Sequence, residues 1–183
     1  VQVKARNREI ANENTRLSKD LREVKKELVD LQQHSRKNNL EVKGIPVAPD
    51  ENLASTMKTI AVCVGSEIQD SDIEVIHRVP TKDKAKQNIV VRFVSRKVRD
   101  RVLKAAKKHR INTSALGFKD NSPIFINEHL CPANKVLLGK ALSAKRDHNW
   151  KFTWVSDGKI LMRKTENSRV LHVTCAEDLT QVQ

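Results

Sequence analysis

The sequence of 183 residues predicts an α+β protein in three parts: a parallel coiled coil over residues 1–35, a β-α-β-β-α-β domain over 36–130, and a small α/β domain over 131–183. Three observations lead to this prediction. An apolar residue recurs at every seventh position of the first part, strand and helix patterns follow in that order through the second, and the third has a helix pattern followed by strand patterns. The formal net charge of +13 is spread over all three parts and favours a polyanionic partner such as nucleic acid.

The first part carries a strict seven-residue apolar repeat. With that repeat placed at heptad position d, the predicted oligomerisation seam consists of Val3, Asn7, Ile10, Asn14, Leu17, Leu21, Val24, Leu28 and Leu31. Such a repeat keeps one seam of a helix against a partner helix, which predicts a parallel coiled coil. β-Branched residues at d favour states above the dimer, whereas asparagine at position a is common in dimers. We therefore predict a homotrimer, with a homodimer as the alternative; an amphipathic helix lying on the body of the chain is a third possibility.

The second part alternates strand and helix patterns. Strands are predicted at 40–45, 73–79, 89–94 and 124–126, helices at 53–64 and 98–109, and a solvated loop at 82–86. Gly44 and Pro46 end the first strand, and Pro80 ends the second. The resulting β-α-β-β-α-β order is the ferredoxin-like pattern that RNA-recognition motifs share.

RNA-recognition motifs usually display aromatic side chains on their two central strands, where they stack on bases. Alternation in the first strand predicts that Leu40 and Val42 face the helices and that Glu41 and Lys43 lie on the open face. In the third predicted strand, Val90 and Arg92 face outward while their neighbours Ile89, Val91 and Phe93 face inward. The aromatic platform is therefore absent, and we expect this domain to contact phosphates more than bases.

The second helix of this domain has the densest run of basic residues in the chain. Its positions are Arg96, Lys97, Arg99, Arg101, Lys104, Lys107, Lys108 and, just beyond it, Arg110. Such a run favours contact with phosphates, although an ordinary solvated helix face has the same composition.

The third part has a helix pattern from Pro132, a strand over 150–155, a turn at 156–159, strands over 160–162 and 170–173, and a short helix over 176–182. Trp150, Phe152 and Trp154 share one face of the first of these strands, and Lys151 lies opposite. Interleaved aromatic and basic residues suit single-stranded nucleic acid, because bases stack on rings while phosphates need cations. The alternative is that this aromatic stripe is simply the core of a small domain.

Several segments resemble known families. RKNNLEVKGIP, EVIHRVP, NIVVRF and the basic helix resemble the first open-reading-frame protein of LINE-type non-LTR retrotransposons. PIFINEHLCPANKVLLGKAL and DGKILMRKTENSRVLHV resemble the C-terminal domain of baculovirus few-polyhedra (FP) proteins. The first resemblance implies a trimeric coiled coil, an atypical RNA-recognition motif and a C-terminal domain that together bind single-stranded RNA as a coat and nucleic-acid chaperone. The second implies a structural or assembly role through protein contacts.

The resemblance also implies which residues contact nucleic acid. Carried over position by position, these are Arg36, Lys37, Arg78, Arg92, Arg110, Lys151, Trp154, Arg163, Lys164 and Arg169. Arg36 and Lys37 correspond to a basic hinge after the coil, and Arg163, Lys164 and Arg169 to basic positions of the FP motif.

We therefore expect a homo-oligomeric protein that binds single-stranded RNA or DNA, with an FP-type assembly protein as the alternative.

We expect no enzyme, because Asp120 and Asp157 stand beside turns without a paired carboxylate and no nucleophile triad or phosphate-binding glycine loop is present. The three cysteines form no C-x-x-C pair, so we expect reduced thiols and neither metal nor cofactor. Reduced thiols suit an intracellular protein, which we expect to be cytoplasmic, nuclear or both. No apolar run approaches the ~20 residues of a membrane span, and we expect no membrane or small-molecule partner.

Overall fold

The computed structural model describes residues 2–81, 84 and 87–182, so most of the predicted loop at 82–86 lies outside the described residues. The chain is a mixed α+β protein with a long N-terminal helix and antiparallel sheets, as predicted. Its helices are α1 (Gln2–His34), α2 (Leu53–Cys63), α3 (Arg96–Lys108) and α4 (Pro132–Asp147). Its strands are β1 (Asn39–Lys43), β2 (Ile73–Val79), β3 (Asn88–Phe93), β4 (Ile111–Asn112), β5 (Pro123–Glu128), β6 (Phe152–Ser156), β7 (Lys159–Arg163) and β8 (Leu171–Val173).

Helix α1 has no buried residue along its 33 residues. The apolar members of the predicted seam are each at least 51% exposed: Val3, Ile10, Leu17, Leu21, Val24, Leu28 and Leu31. The stripe therefore does not pack on the body of its own chain, and the possibility of a helix lying on that body is wrong.

The first globular unit is a five-stranded sheet in the order β2-β3-β1-β5-β4, and its neighbouring strands are antiparallel. Helices α2 and α3 contribute to one core with the inward side chains of the sheet. The predicted inward residues Leu40, Val42, Ile89, Val91 and Phe93 all belong to this core. The two-residue strand β4 was not predicted, because a pair of residues carries no readable alternation.

The opposite face of this sheet is less open than the alternation predicted. Glu41 and Val90 lie on that face as expected, but they are only 2% and 3% exposed. Glu41 is covered because Lys135 of α4 reaches down to it, with Nζ 2.8 Å from Oε1. Sequence alternation assigns a side chain to a face and cannot show that another unit covers that face.

The second unit packs α4 against the three-stranded sheet β6-β7-β8. Its core consists of Leu137, Ala141, Ile160, Met162, Val173 and Val182. The first strand begins at Phe152 rather than Trp150, because Asn149 takes a left-handed φ of 54° and ends the preceding helical turn. Trp150 packs against the core, whereas Phe152 and Trp154 pair with Arg163 and Leu161 of β7, which are not part of the core. The interpretation of the stripe as core is thus right for Trp150 alone.

Glu128, at the end of β5, joins the two units. Its carboxylate accepts hydrogen bonds from the backbone N–H groups of Asp157 (3.0 Å) and Gly158 (2.7 Å) in the β6–β7 turn. That turn exposes both groups because Asp157 and Gly158 have left-handed φ angles of 53° and 72°. Arg99 of α3 lies 3.5 Å from the same carboxylate, and the side chains of this ion pair are each 6% exposed.

The contact between the two units around Glu128 is called the junction below. Gln33, near the end of α1, anchors the helix at this junction. Its amide nitrogen donates to the His129 carbonyl (3.1 Å), and its amide oxygen accepts from the Cys131 N–H and the Asn134 side chain, both at 3.0 Å. A Cβ atom at Gly158 would lie 2.7 Å from Cγ of Gln33, so the turn can approach the helix this closely only with glycine.

Replacing Glu128 tests the importance of this junction. We predict that Glu128→Ala lowers the free energy of unfolding by about 1–3 kcal/mol, because it leaves the N–H groups of Asp157 and Gly158 without their acceptor and leaves Arg99 with Asp100 as its remaining carboxylate partner. Urea unfolding followed by circular dichroism measures the change. The exposed Glu166→Ala serves as the control and should change stability by less than about 0.5 kcal/mol. Equal effects of the two substitutions would contradict the role given to Glu128.

Candidate nucleic-acid interface

A groove of about 340 Å³ lies along the edge of strand β6. It is lined by Lys145, Lys151, Phe152, Thr153, Trp154 and Arg163. Because Phe152 pairs with Arg163 across β6 and β7, the guanidinium carbon of Arg163 lies 4.9 Å from the centroid of the Phe152 ring. Nζ of Lys151 approaches the same ring to 5.4 Å. An aromatic ring and several cations are thus held side by side.

Two polar atoms of this groove are buried and have no hydrogen-bond partner among the described residues. They are Nε of Arg163 and Oγ1 of Thr153. A buried polar group without a partner costs free energy, and such groups are uncommon in folded proteins. Both atoms can donate a hydrogen bond, but they are buried beneath the lining of the groove and are not open to a ligand in this structure.

A second groove of about 510 Å³ separates the two globular units. The first unit contributes Lys43 and Lys107 to its wall, and the second contributes Lys135 and Trp154. A third groove of about 290 Å³ follows α3 and includes Arg96, Lys104 and Lys107.

The three grooves adjoin one another through shared lining residues. Thr153 and Trp154 line both the first and the second, while Leu103, Lys107 and Glu128 line both the second and the third. We call these three adjoining grooves together the composite groove. It runs from β6, across the junction between the units, to α3, so neither unit forms it alone.

The acidic side chains of the composite groove are largely neutralised within the protein. Lys135 and Lys43 lie 2.8 and 3.5 Å from the carboxylate of Glu41, and Arg96 pairs with Asp157 at 2.5 Å. Burial by itself would raise the pKa of Glu41, but the hydrogen bond from Lys135 and the charge of Lys43 outweigh it, so the pKa lies below its ordinary value. Lys104, Lys107 and Lys145 form no ion pair with a described residue and supply the excess positive charge.

The structure brings Lys151, Trp154 and Arg163 of the predicted site together in this groove. The Nζ of Lys151 also pairs with Glu166 at 2.5 Å, on the exposed side of the unit. Lys164 and Arg169 are exposed residues beyond the end of β7 and do not line the grooves described above.

The other predicted residues are dispersed over the first unit. Arg36 donates to the Gln32 carbonyl at the end of α1, with the half-buried Lys37 beside it. Arg92 pairs with Glu74 across β3 and β2 at 3.0 Å. Arg110 is exposed just past the end of α3, outside the composite groove.

Arg78, which was predicted to contact nucleic acid, has a structural role instead. Its side chain is 9% exposed, and its guanidinium donates to both carboxylate oxygens of Glu51 (2.8 and 2.6 Å). It also donates to the backbone carbonyls of Ile45, Pro46 and Gln87. A guanidinium has five N–H groups, and all five are used here. Arg78 therefore holds β2 to the segment after β1 and has no donor left for a phosphate.

Sequence reasoning did not identify Lys43, Lys107, Lys135 and Lys145 as members of one site. One available signal was the helical spacing of α4, in which Lys135, Leu138, Leu142 and Lys145 recur at three or four residues and so share a face. No signal in the sequence pairs that face with Lys43 and Lys107, because the contact depends on the docking of the two units.

Comparison with known proteins gives one finding. Residues 131–183 match the family model described as Baculovirus FP protein domain 2, which supports a relationship of this part of the chain to the baculovirus FP family. No curated protein matches the chain. Among the described residues, no helix is both long and apolar enough to cross a membrane, and no group of His, Cys, Asp and Glu side chains could hold a metal ion.

His129 provides a pH-dependent probe of the junction. Burial, together with the positive charges of Lys135 and Arg36, lowers the pKa of His129 to about 4, although Glu41 opposes this shift. In the neutral ring, Nδ1 lies 3.1 Å from the amide nitrogen of Asn39 and can accept its hydrogen bond.

We predict that the NMR chemical shift of the His129 C2 proton changes with pH with a midpoint of about 4, well below the ordinary pKa of about 6.5. As the pH falls, the unfolded chain protonates this histidine near pH 6.5, before the folded chain does. Protonation therefore favours the unfolded chain, and the free energy of unfolding decreases as the pH falls from about 6.5 to about 4. His129→Gln should flatten that part of the stability curve. A midpoint near 6.5 would show that the junction is open to solvent.

Proposed function

We propose that this chain is a homo-oligomeric protein that binds single-stranded nucleic acid, RNA in the first instance, as a coat and chaperone. The composite groove is the observation that carries the proposal. It combines cations and two aromatic side chains along adjoining grooves that are lined by both units. We propose neither a catalytic role nor a cofactor.

The chemistry of the groove favours an unpaired strand. Phe152 and Trp154 lie at the edge of a sheet, where a base can reach their rings only if it is not paired within a duplex. Arg163 and Lys151 flank the Phe152 ring and suit the phosphates on either side of a stacked base. Lys107 extends the same positive surface across the junction, where Lys135 and Lys43 share the single carboxylate of Glu41.

The first unit supports the same interpretation. Its strand order β2-β3-β1-β5, with α2 and α3 sharing the core on one face, is the order expected of a ferredoxin-like domain. We interpret this unit as an atypical RNA-recognition motif that presents cations in place of the usual aromatic platform. In this interpretation its sheet and α3 form one wall of the binding site, and the FP-like unit forms the other.

Helix α1 supports oligomerisation. Its apolar stripe is exposed in the single chain, and a partner helix that covers it would remove about half or more of each side chain's area from water. We propose a parallel homotrimer, with a homodimer as the alternative. Several copies of the composite groove on one coil would raise the apparent affinity for a long strand by effective concentration.

An FP-type assembly protein remains the second candidate, and the family match over residues 131–183 is the observation that favours it. In that case the C-terminal unit would act mainly through protein contacts. The exposed face of α4, where Val136 is 62% exposed, would then be one surface available to a protein partner.

Fluorescence anisotropy with a single-stranded RNA of about 30 nucleotides, and with its duplex, across a salt series tests the proposal. We predict preferential binding of the single strand and a steep loss of affinity with salt, because Lys and Arg contacts to phosphates release counterions. Reversing two groove charges, Lys107→Glu with Lys145→Glu, should weaken binding about 100-fold at low salt and reduce the salt slope by about 1 to 2.

The matched control is Lys119→Glu with Lys140→Glu, which changes the net charge equally at exposed positions outside the composite groove. It should weaken binding by less than about fivefold through the general field of the protein. Equal losses in the two double variants would contradict the assignment of the groove. Weak binding that does not respond to salt would contradict the proposed function and favour the assembly protein.

A further inference from the structure

Phe125 is a large aromatic residue outside the site described above. It lies in the middle of β5, an inner strand of the five-stranded sheet, yet it is 52% exposed. Its strand neighbours Ile124 and Ile126 pack in the core. The alternation of β5 therefore points Phe125 to the face opposite α2 and α3, the same face that carries Glu41 and Lys43.

Phe125 lies next to the composite groove. It is the direct cross-strand partner of Lys43, and Lys43 lines the groove between the units. Asn127, two residues further along β5 and on the same face, lines that groove as well. Directly opposed residues on one face of an antiparallel pair have Cβ atoms about 5 Å apart. Phe125 therefore lies beside Lys43 on this face, next to the groove between the units.

Gly44 fixes this arrangement. It follows Lys43, has a φ of +95°, and a Cβ atom at its position would lie 2.4 Å from the Pro123 carbonyl oxygen. Only glycine allows the end of β1 to approach the start of β5 so closely. The close approach holds Lys43 and Phe125 in register.

We propose that Phe125 is a base-stacking residue and that Lys43 contacts the neighbouring phosphate of the same strand. Phe125 supplies, from β5, the ring that is missing from the central strands of this unit. This inference rests on the proposed function and extends the base contacts from the second unit to the first. The occupant is an unpaired base, because Phe125 is paired with Lys43, which lines a groove that also contains Lys107 and Lys135.

A comparison of two probes separates stacking from charge. One is a single-stranded oligouridylate of about 30 nucleotides, and the other is an abasic ribose-phosphate strand of the same length. Base–aromatic stacking is worth about 1–3 kcal/mol per base, so Phe125→Ala should weaken binding of oligouridylate about 5- to 140-fold. It should leave binding of the abasic strand unchanged. Phe125→Tyr retains a ring and should restore affinity for oligouridylate.

Val62→Ala is the matched control, since Val62 is a 60% exposed apolar residue on α2, the other side of the sheet. Val62→Ala should change neither the affinity for oligouridylate nor the affinity for the abasic strand. Because Phe125 is outside the core, urea unfolding should show that Phe125→Ala folds normally. No loss for oligouridylate, or an equal loss for both probes, would overturn the stacking role while leaving the proposed function intact. If the unaltered chain binds neither probe, the proposed function fails, and the stacking role fails with it.

Discussion

The buried carboxylate of Glu128 is the interaction on which the rest of the structure depends. A carboxylate removed from water costs several kcal/mol unless hydrogen bonds and an opposite charge compensate it. Here two backbone N–H groups of the β6–β7 turn and the guanidinium of Arg99 provide that compensation. One side chain therefore connects the end of β5, helix α3 and the second unit. Gln33 adds the end of α1 to the same point.

This junction determines the candidate site. The FP-like unit supplies Phe152, Trp154 and Arg163, and the first unit supplies Lys43 and Lys107. These two sets become walls of one groove only because the turn is held against Glu128. The junction also contains the ion pair of Glu41 with Lys135 and the neutral ring of His129, both of which need the units to stay together. Binding and docking are therefore coupled in this account.

Much of the fold could be predicted from local patterns. Strand alternation correctly assigned Leu40, Val42 and Phe93 to the core, and the heptad repeat correctly predicted one long helix with an exposed apolar stripe. The candidate site was predicted only in part, because its walls meet through tertiary contacts that leave no periodic signal. Arg78 shows the limit most clearly: a basic residue in a strand looks the same in the sequence whether its five donors face a phosphate or, as here, Glu51 and three carbonyls.

Photo-crosslinking of single-stranded RNA that carries 4-thiouridine tests the central claim most directly, with the crosslinked peptides identified by mass spectrometry. If both units form one binding groove, crosslinks should fall on residues 145–163 of the second unit and also near Lys43, Lys107 and Phe125 of the first. Glu128→Ala should reduce crosslinking on both sides together, because it releases the docked turn. Crosslinks confined to one unit, or to α1, would contradict a composite groove.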